Sequence, residues 1–243
     1  MTQDDEQSYP PRPQFQPYAY PVPAADVGRS PFRAGRGLSR AVIALSFAWL
    51  VLKWIDVALE LWNRPARYVD GYPVPDGSGL AFAMVGQVLT AAVWAVTCTW
   101  LGVAYGNAKR LDRAGLRRSE VWVWLGWIVP IVLLWFPKQV VDDSLRVTEG
   151  AASGRPPAAV STRTGWWWGM WLAGNIVANL PRVEGVLPPA ALPPGSRPSS
   201  VALATAAAVV LSIALVRWVL VVLRLAAAQD RLASFGVAPM RSD

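Results

Sequence analysis

The sequence predicts an all-α protein, a polytopic bundle of membrane helices behind a disordered N-terminal tail. Three observations point there. Apolar residues make up 53% of the 243-residue chain and charged residues only 16%, against roughly 25% charged in a soluble domain. The apolar residues cluster into five segments, 38–62, 80–105, 121–136, 166–180 and 201–223. A spanning helix takes about 20 mostly apolar residues, and the first, second and fifth segments each provide that many.

Residues 1–37 come before the first segment and are rich in Pro, Gln and Tyr, as in Tyr9-Pro10-Pro11-Arg12-Pro13 and Tyr20-Pro21-Val22-Pro23. Such a composition buries no core and favours extended polyproline-like chain. It is expected to be a solvated cytoplasmic tether, or else a docking strip for a protein partner with an aromatic groove. These residues hold no apolar run, so no signal peptide is expected. The first segment then serves as its own uncleaved anchor.

Lys53, Asp56 and Glu60 interrupt the first segment at spacings of three and four, which place them on one helix face. Charges inside a span face protein or a water-filled cavity and mark ion or proton paths. The plainer reading pairs Lys53 with Asp56 and leaves Glu60 near the outer interface. A turn-rich loop over 63–79 follows. The second segment carries Cys98, the sole cysteine, which allows no intrachain disulfide and reads as a small packing residue. It ends in a short basic connection over 106–120.

The third segment is the irregular one. As a helix, residues 121–136 would be about 24 Å long, short of the roughly 30 Å hydrocarbon core. Pro130 lies inside it and Pro137 closes it, and proline breaks the helical ladder. Irregular backbone at membrane depth is tolerated only under a cover of other protein. Two arrangements follow. If all five segments cross, Lys and Arg divide twelve to nine between the two sides. If the third enters and leaves on one side, they divide seventeen to four, the better match to the rule that cytoplasmic loops are basic. The four-crossing arrangement, with the N-terminus cytoplasmic, is the preferred expectation.

The fourth segment is also short. Its Trp166, Trp167, Trp168 and Trp171 suit an interfacial belt. Gly165, Gly169 and Ala173 form a small-residue stripe, as do Gly102 and Gly106, and such stripes let helices approach closely. Asn175 and Asn179, one turn apart, are expected to bond to neighbouring helices. In the fifth segment Arg217 and Arg224 share a face and can snorkel toward the cytoplasm. The helical membrane domain is thus expected over 38–231, with a short tail over 232–243.

The charge of +7 sits beside apolar segments, where it sets topology and contacts anionic lipid headgroups rather than nucleic acid. The chain has no histidine, which removes a Ser–His dyad and His-ligated zinc or haem. It has no phosphate-cradling loop, nucleophile elbow or zinc motif. Adjacent acids Asp142 and Asp143 point in different directions on a helix and make a poor divalent-ion site. No catalytic, metal or cofactor residue is therefore expected. The polar candidates are Lys53, Asp56, Glu60, Asn175, Asn179 and Arg217. The functional expectation is a non-enzymatic scaffold or interaction protein of a bacterial cell membrane. The alternative is a small transporter or channel subunit that uses the charges of the first helix.

Several motifs add to this reading: Arg118-Ser119-Glu120-Val121-Trp122, Gly126-Trp127-Ile128-Val129-Pro130, Leu134-Trp135-Phe136-Pro137-Lys138-Gln139-Val140-Val141-Asp142, and Trp166-Trp167-Trp168-Gly169-Met170-Trp171 with Asn175-Ile176. Together they resemble a bacterial membrane family, common in actinobacteria, known as domain of unknown function 4328, over roughly residues 80–225. In that family a Pro usually follows the Ser; here it is Glu120. The resemblance implies a membrane protein and brings no activity or site residues.

Overall fold

The computed structural model describes residues 35–62, 68–69, 72–73, 77–184 and 200–235. Most of the expected N-terminal tail, the end of the C-terminal tail and the side chain of Glu60 lie outside this set. The described fold is all-α apart from one two-residue antiparallel pairing. Its elements are α1 (Arg36–Trp62), β1 (Tyr68–Val69), β2 (Tyr72–Pro73), α2 (Gly77–Leu111), α3 (Trp122–Leu125), α4 (Phe136–Ser153), α5 (Gly165–Glu184) and α6 (Ser200–Phe235). Tyr68 pairs with Pro73 and Val69 with Tyr72.

Three helices are long and apolar enough to cross a membrane: Arg36–Leu59, Ala81–Leu111 and Val201–Ser234. They correspond to the first, second and fifth apolar segments. α2 and α6 outrun those segments at their C-terminal ends, because side chains beyond the apolar run still find a core. Asn107 and Ala108 in α2, and Leu225 and Ala228 in α6, are buried. The 106–120 connection is therefore helical through Leu111, and four residues of the expected C-terminal tail belong to α6.

The helices pack antiparallel in sequence order. α1 meets α2 through Trp100 Nε1 donating to Ser39 Oγ at 2.9 Å and Trp49 Nε1 donating to Thr90 Oγ1 at 3.0 Å. It meets α6 through Arg36–Asp230 at one end and Trp54–Ser212 further along. α5 lies against α6, with Trp167 stacked on Trp218 at 4.7 Å. α6 thus touches α1, α2, α4 and α5 and forms the centre of the bundle.

The third segment is a hairpin, not a continuous helix. Descending beside α2, Glu120 lies 3.3 Å from Lys109 Nζ, Val123 packs near Gly102, and Trp124 meets Trp94 edge to face at 5.6 Å. From Lys109 to Trp94 is about 22 Å along α2. The chain turns around Pro130 and returns beside α5, where the Leu134 carbonyl accepts the Trp168 indole N–H at 2.7 Å. It closes where it began, with Phe136 against Trp122 at 4.6 Å and Arg118 Nε donating to Gln139 Oε1 at 2.8 Å. Its backbone bonds within itself, for example Leu125 to Val121 and Leu133 to Val129, so proline at the turn leaves few groups to satisfy.

The composition of residues 137–165 suits a helix over 138–146 and a Ser/Gly/Pro linker after it, yet α4 runs to Ser153 and ends at Gly154, whose φ of 63° is the left-handed conformation that glycine adopts without strain. Val140, Val141, Leu145 and Val147 are fully buried. α4 closes one end of the bundle against α2 and α6.

Candidate functional site

The end closed by α4 collects the ions. Asp143 has no exposed surface and takes three donors from two sides. Arg117 gives its backbone N–H at 3.0 Å and its Nε at 2.9 Å, and Arg146 adds a guanidinium N–H. Asp142 accepts Lys138 Nζ at 2.5 Å and the Thr164 hydroxyl. Glu149 takes both Nε and Nη2 of Arg224, at 3.0 and 2.8 Å, and the same guanidinium donates to the Thr162 carbonyl at 3.1 Å. Tyr105, itself buried, donates its hydroxyl to the Arg118 carbonyl, and the Arg118 guanidinium sits 3.8 Å from the Phe136 ring centroid. Bidentate and shared pairs of this kind fix geometry as well as charge. They tie the 112–120 loop, α4, the 160–164 strand of coil and α6 into one unit. Both aspartates are thus committed to cations and a hydroxyl of the protein, and no group of three metal-ligating side chains occurs among the described residues.

A second feature lies deeper. A cavity of about 600 Å³ opens between α1, α2, the hairpin, α5 and α6. α1 contributes Ser46 and Trp49, and α2 contributes Gln87, Thr90, Trp94 and Thr97. The hairpin adds Trp127, Ile128 and Leu133, α5 adds Trp167, Trp171 and Asn175, and α6 adds Leu211, Leu215 and Trp218. No charged side chain lines it. The indoles hold one another at right angles or in stacks, as in Trp127–Trp171 at 5.8 Å and Trp168–Trp171 at 4.9 Å. The indole N–H groups of Trp94 and Trp127 are buried without a nitrogen or oxygen acceptor. Each ring has perpendicular indole neighbours, the arrangement in which an edge meets a π face.

The candidates read from the sequence fall unevenly on this geometry. Asn175 lines the cavity, but its amide donates to the Trp171 carbonyl at 2.8 Å, and Asn179 donates to Asn175 at 2.7 Å. These two bonds turn back into α5. Lys53 does not pair with Asp56; its Nζ lies 5.8 Å from the Trp49 ring centroid, and Asp56 is exposed. Neither lines the cavity. Arg217 is exposed on the outer side of α6, whereas Arg224 reaches inward to Glu149.

Two other expectations change. The tryptophan cluster is not a belt: Trp167 and Trp168 are 3% and 4% exposed, and only Trp166, at 70%, faces outward. Of the glycines in the small-residue stripes, only Gly102 meets another element, at Val123 of the hairpin. A Cβ added at Gly106, Gly165 or Gly169 meets nothing within 4 Å, while one at Gly174 would lie 2.6 Å from Leu211 Cγ. α5 faces α6 along Trp167 and Gly174, seven residues apart and so on one helix face.

The model of one family, a domain of unknown function (DUF4328), matches residues 74–193. This part of the chain belongs to the DUF4328 family. No curated protein and no solved structure matches the chain. The DUF4328 segment contains α2, the hairpin, α4 and α5, and so most of the ionic end and much of the cavity wall. α1 and α6 lie outside it, so the family likeness ends before the last helix rather than near residue 225.

Proposed function

We propose that the chain is a multi-pass protein of a bacterial cell membrane that acts as a non-enzymatic scaffold or interaction protein. Its N-terminus and its ionic end lie in the cytoplasm. The hairpin over 121–136 re-enters from that side, and α1, α2, α5 and α6 cross. The observation that carries this reading is segregation. Among the described side chains, Arg36, Arg40, Lys109, Arg117, Lys138, Arg224 and their charged neighbours gather at one end, as cytoplasmic flanks do. Outward faces of the helices are apolar: Phe47, Val51, Ile55 and Leu59 on α1, and Val209, Ile213, Val216, Leu220 and Leu223 on α6, are all exposed. Only 11% of the apolar window of α2 is buried inside the protein. Contiguous exposed apolar surface on this scale needs another apolar phase to cover it. α5, with 20 residues, is about 30 Å long, and its crossing is part of this proposal.

The scaffold role rests on how the acids are used. Asp142, Asp143, Glu149, Glu120 and Asp230 are all in ion pairs, which hold architecture and leave these carboxylates poorly placed for acid–base work. The exposed basic groups of this end suit anionic headgroups, and the tail suits a protein partner. Alkaline carbonate extraction of membranes tests residence: the protein should stay in the pellet, and its release into the supernatant would refute the membrane reading. Cross-linking from the tail in intact cells should capture one recurrent partner.

A further inference from the structure

We propose that the tryptophan-lined cavity is a binding site for a neutral, lipid-soluble molecule with a flat or unsaturated body that carries carbonyl or hydroxyl oxygen. The volume lies within the roughly 300–1,000 Å³ of small-molecule pockets, which pair mostly apolar walls with a few polar groups. Two of those groups stand out here. Ser46 and Thr97 are 6% and 7% exposed, both line the cavity, and neither hydroxyl makes a hydrogen bond among the described residues. Elsewhere in these helices Ser39, Thr90, Thr99 and Ser212 each satisfy their hydroxyl on the carbonyl one turn back. Ser46 and Thr97 do not take that ordinary local partner. Both hydroxyls are left on the cavity wall, where an oxygen on a ligand gives them the partner that the helices do not.

Charge and depth narrow the class. With no charged residue in the wall, an ionised ligand would lose its hydration without return. Thr97 is twelve residues inside Lys109, about 18 Å along α2, below the level at which a phospholipid places its ester groups. The oxygen must therefore belong to a molecule that dissolves within the hydrocarbon core. Gln87, Thr90, Ala91 and Ile128 are the exposed members of the lining and mark its entrance between α2 and the hairpin. The inference rests on the membrane reading for this route of entry, but binding is measured in micelles, so the carbonate experiment and this one fail separately.

The test uses the full chain in detergent with decylubiquinone, a neutral ring bearing carbonyls on an apolar tail, followed by quenching of tryptophan emission. Saturable quenching is expected. Thr97→Val should weaken it about five- to tenfold, the effect of one lost hydrogen bond, and Ser46→Ala/Thr97→Val further. Ala214 also lines the cavity from α6; Ala214→Phe, which fills it, should abolish saturation, while Val216→Phe on the outer face of α6 should leave it unchanged and controls for folding. Decylbenzene, with the same tail and no oxygen, and decyltrimethylammonium, a cation suited to aromatic cages, should compete at least tenfold more weakly. Quenching that does not saturate, that survives Ala214→Phe, or that is unchanged by loss of both hydroxyls would overturn the proposal. Equal competition by the hydrocarbon or the cation would overturn the ligand class.

Discussion

Asp143 is held below the surface by donors that reach it from two different elements, Arg117 from the loop before the hairpin and Arg146 from its own helix. Removing the carboxylate leaves two guanidinium groups and a backbone N–H without their acceptor. Breaking a buried pair from one side costs about 3–5 kcal/mol, and the partial exposure of both arginines puts this site near or below the lower end. Asp143→Ala is therefore expected to destabilise the protein by about 2–3 kcal/mol, read as a lower thermal midpoint in detergent. Lys109→Ala breaks a pair exposed on both sides and should change stability by less than about 0.5 kcal/mol. Equal losses from the two variants would show that the buried lattice does not hold the ionic end together. Little of this lattice was visible beforehand. Asp142-Asp143 stood out only as adjacent acids, because the pairing depends on a loop brought back by Tyr105. Thr164 and Arg117 carried no signal in the sequence. Ser46 and Thr97 were equally hidden, since helical hydroxyls are common and only their rotamers and neighbours set these two apart.

Periodicity and length placed α1 and the starts of α2 and α6 within a few residues, since long apolar runs leave little choice, but not the C-terminal ends of α2 and α6, which run six and twelve residues past their apolar segments. The third segment was legible as irregular through Pro130 and its short length, and its hairpin path follows from those same facts. α4 was legible only over its first half. Its apolar positions alternate with the buried Asp142 and Asp143 and the half-buried Arg146 and Glu149, so the helix reads as polar until its ion pairs are known. The tryptophans misled for a similar reason: an indole serves an interface or a core equally well, and the choice is made by neighbours such as Trp127 and Trp218. Close packing offers a direct check on the hairpin. A Cβ at Gly126 would lie 2.6 Å from the Trp122 carbonyl and 3.4 Å from Phe136 Cβ. Gly126→Leu should splay the hairpin and cost more than about 2 kcal/mol, whereas Gly169→Leu, in open space, should be nearly neutral. The same midpoint for both variants would contradict the hairpin packing.

The described residues are organised along one axis, with the ion pairs at one end, apolar faces around the middle and the hairpin reaching in from the ionic end. Deleting residues 2–30 should leave insertion and the thermal midpoint unchanged if that region is only a tether; a large loss would mean that it packs on the bundle. The sidedness of the ionic end is the central claim, and single cysteines test it. In a Cys98→Ala background, Ser153→Cys at the end of α4, Ser234→Cys near the end of α6 and Ser78→Cys near the start of α2 are exposed on intact cells to a membrane-impermeant thiol reagent. Labelling at position 78 alone is predicted, with 153 and 234 labelled only after the cells are opened. Strong labelling of intact cells at 153 or 234 would contradict the four-crossing arrangement, and labelling at both would place the ionic end outside or require all five segments to cross.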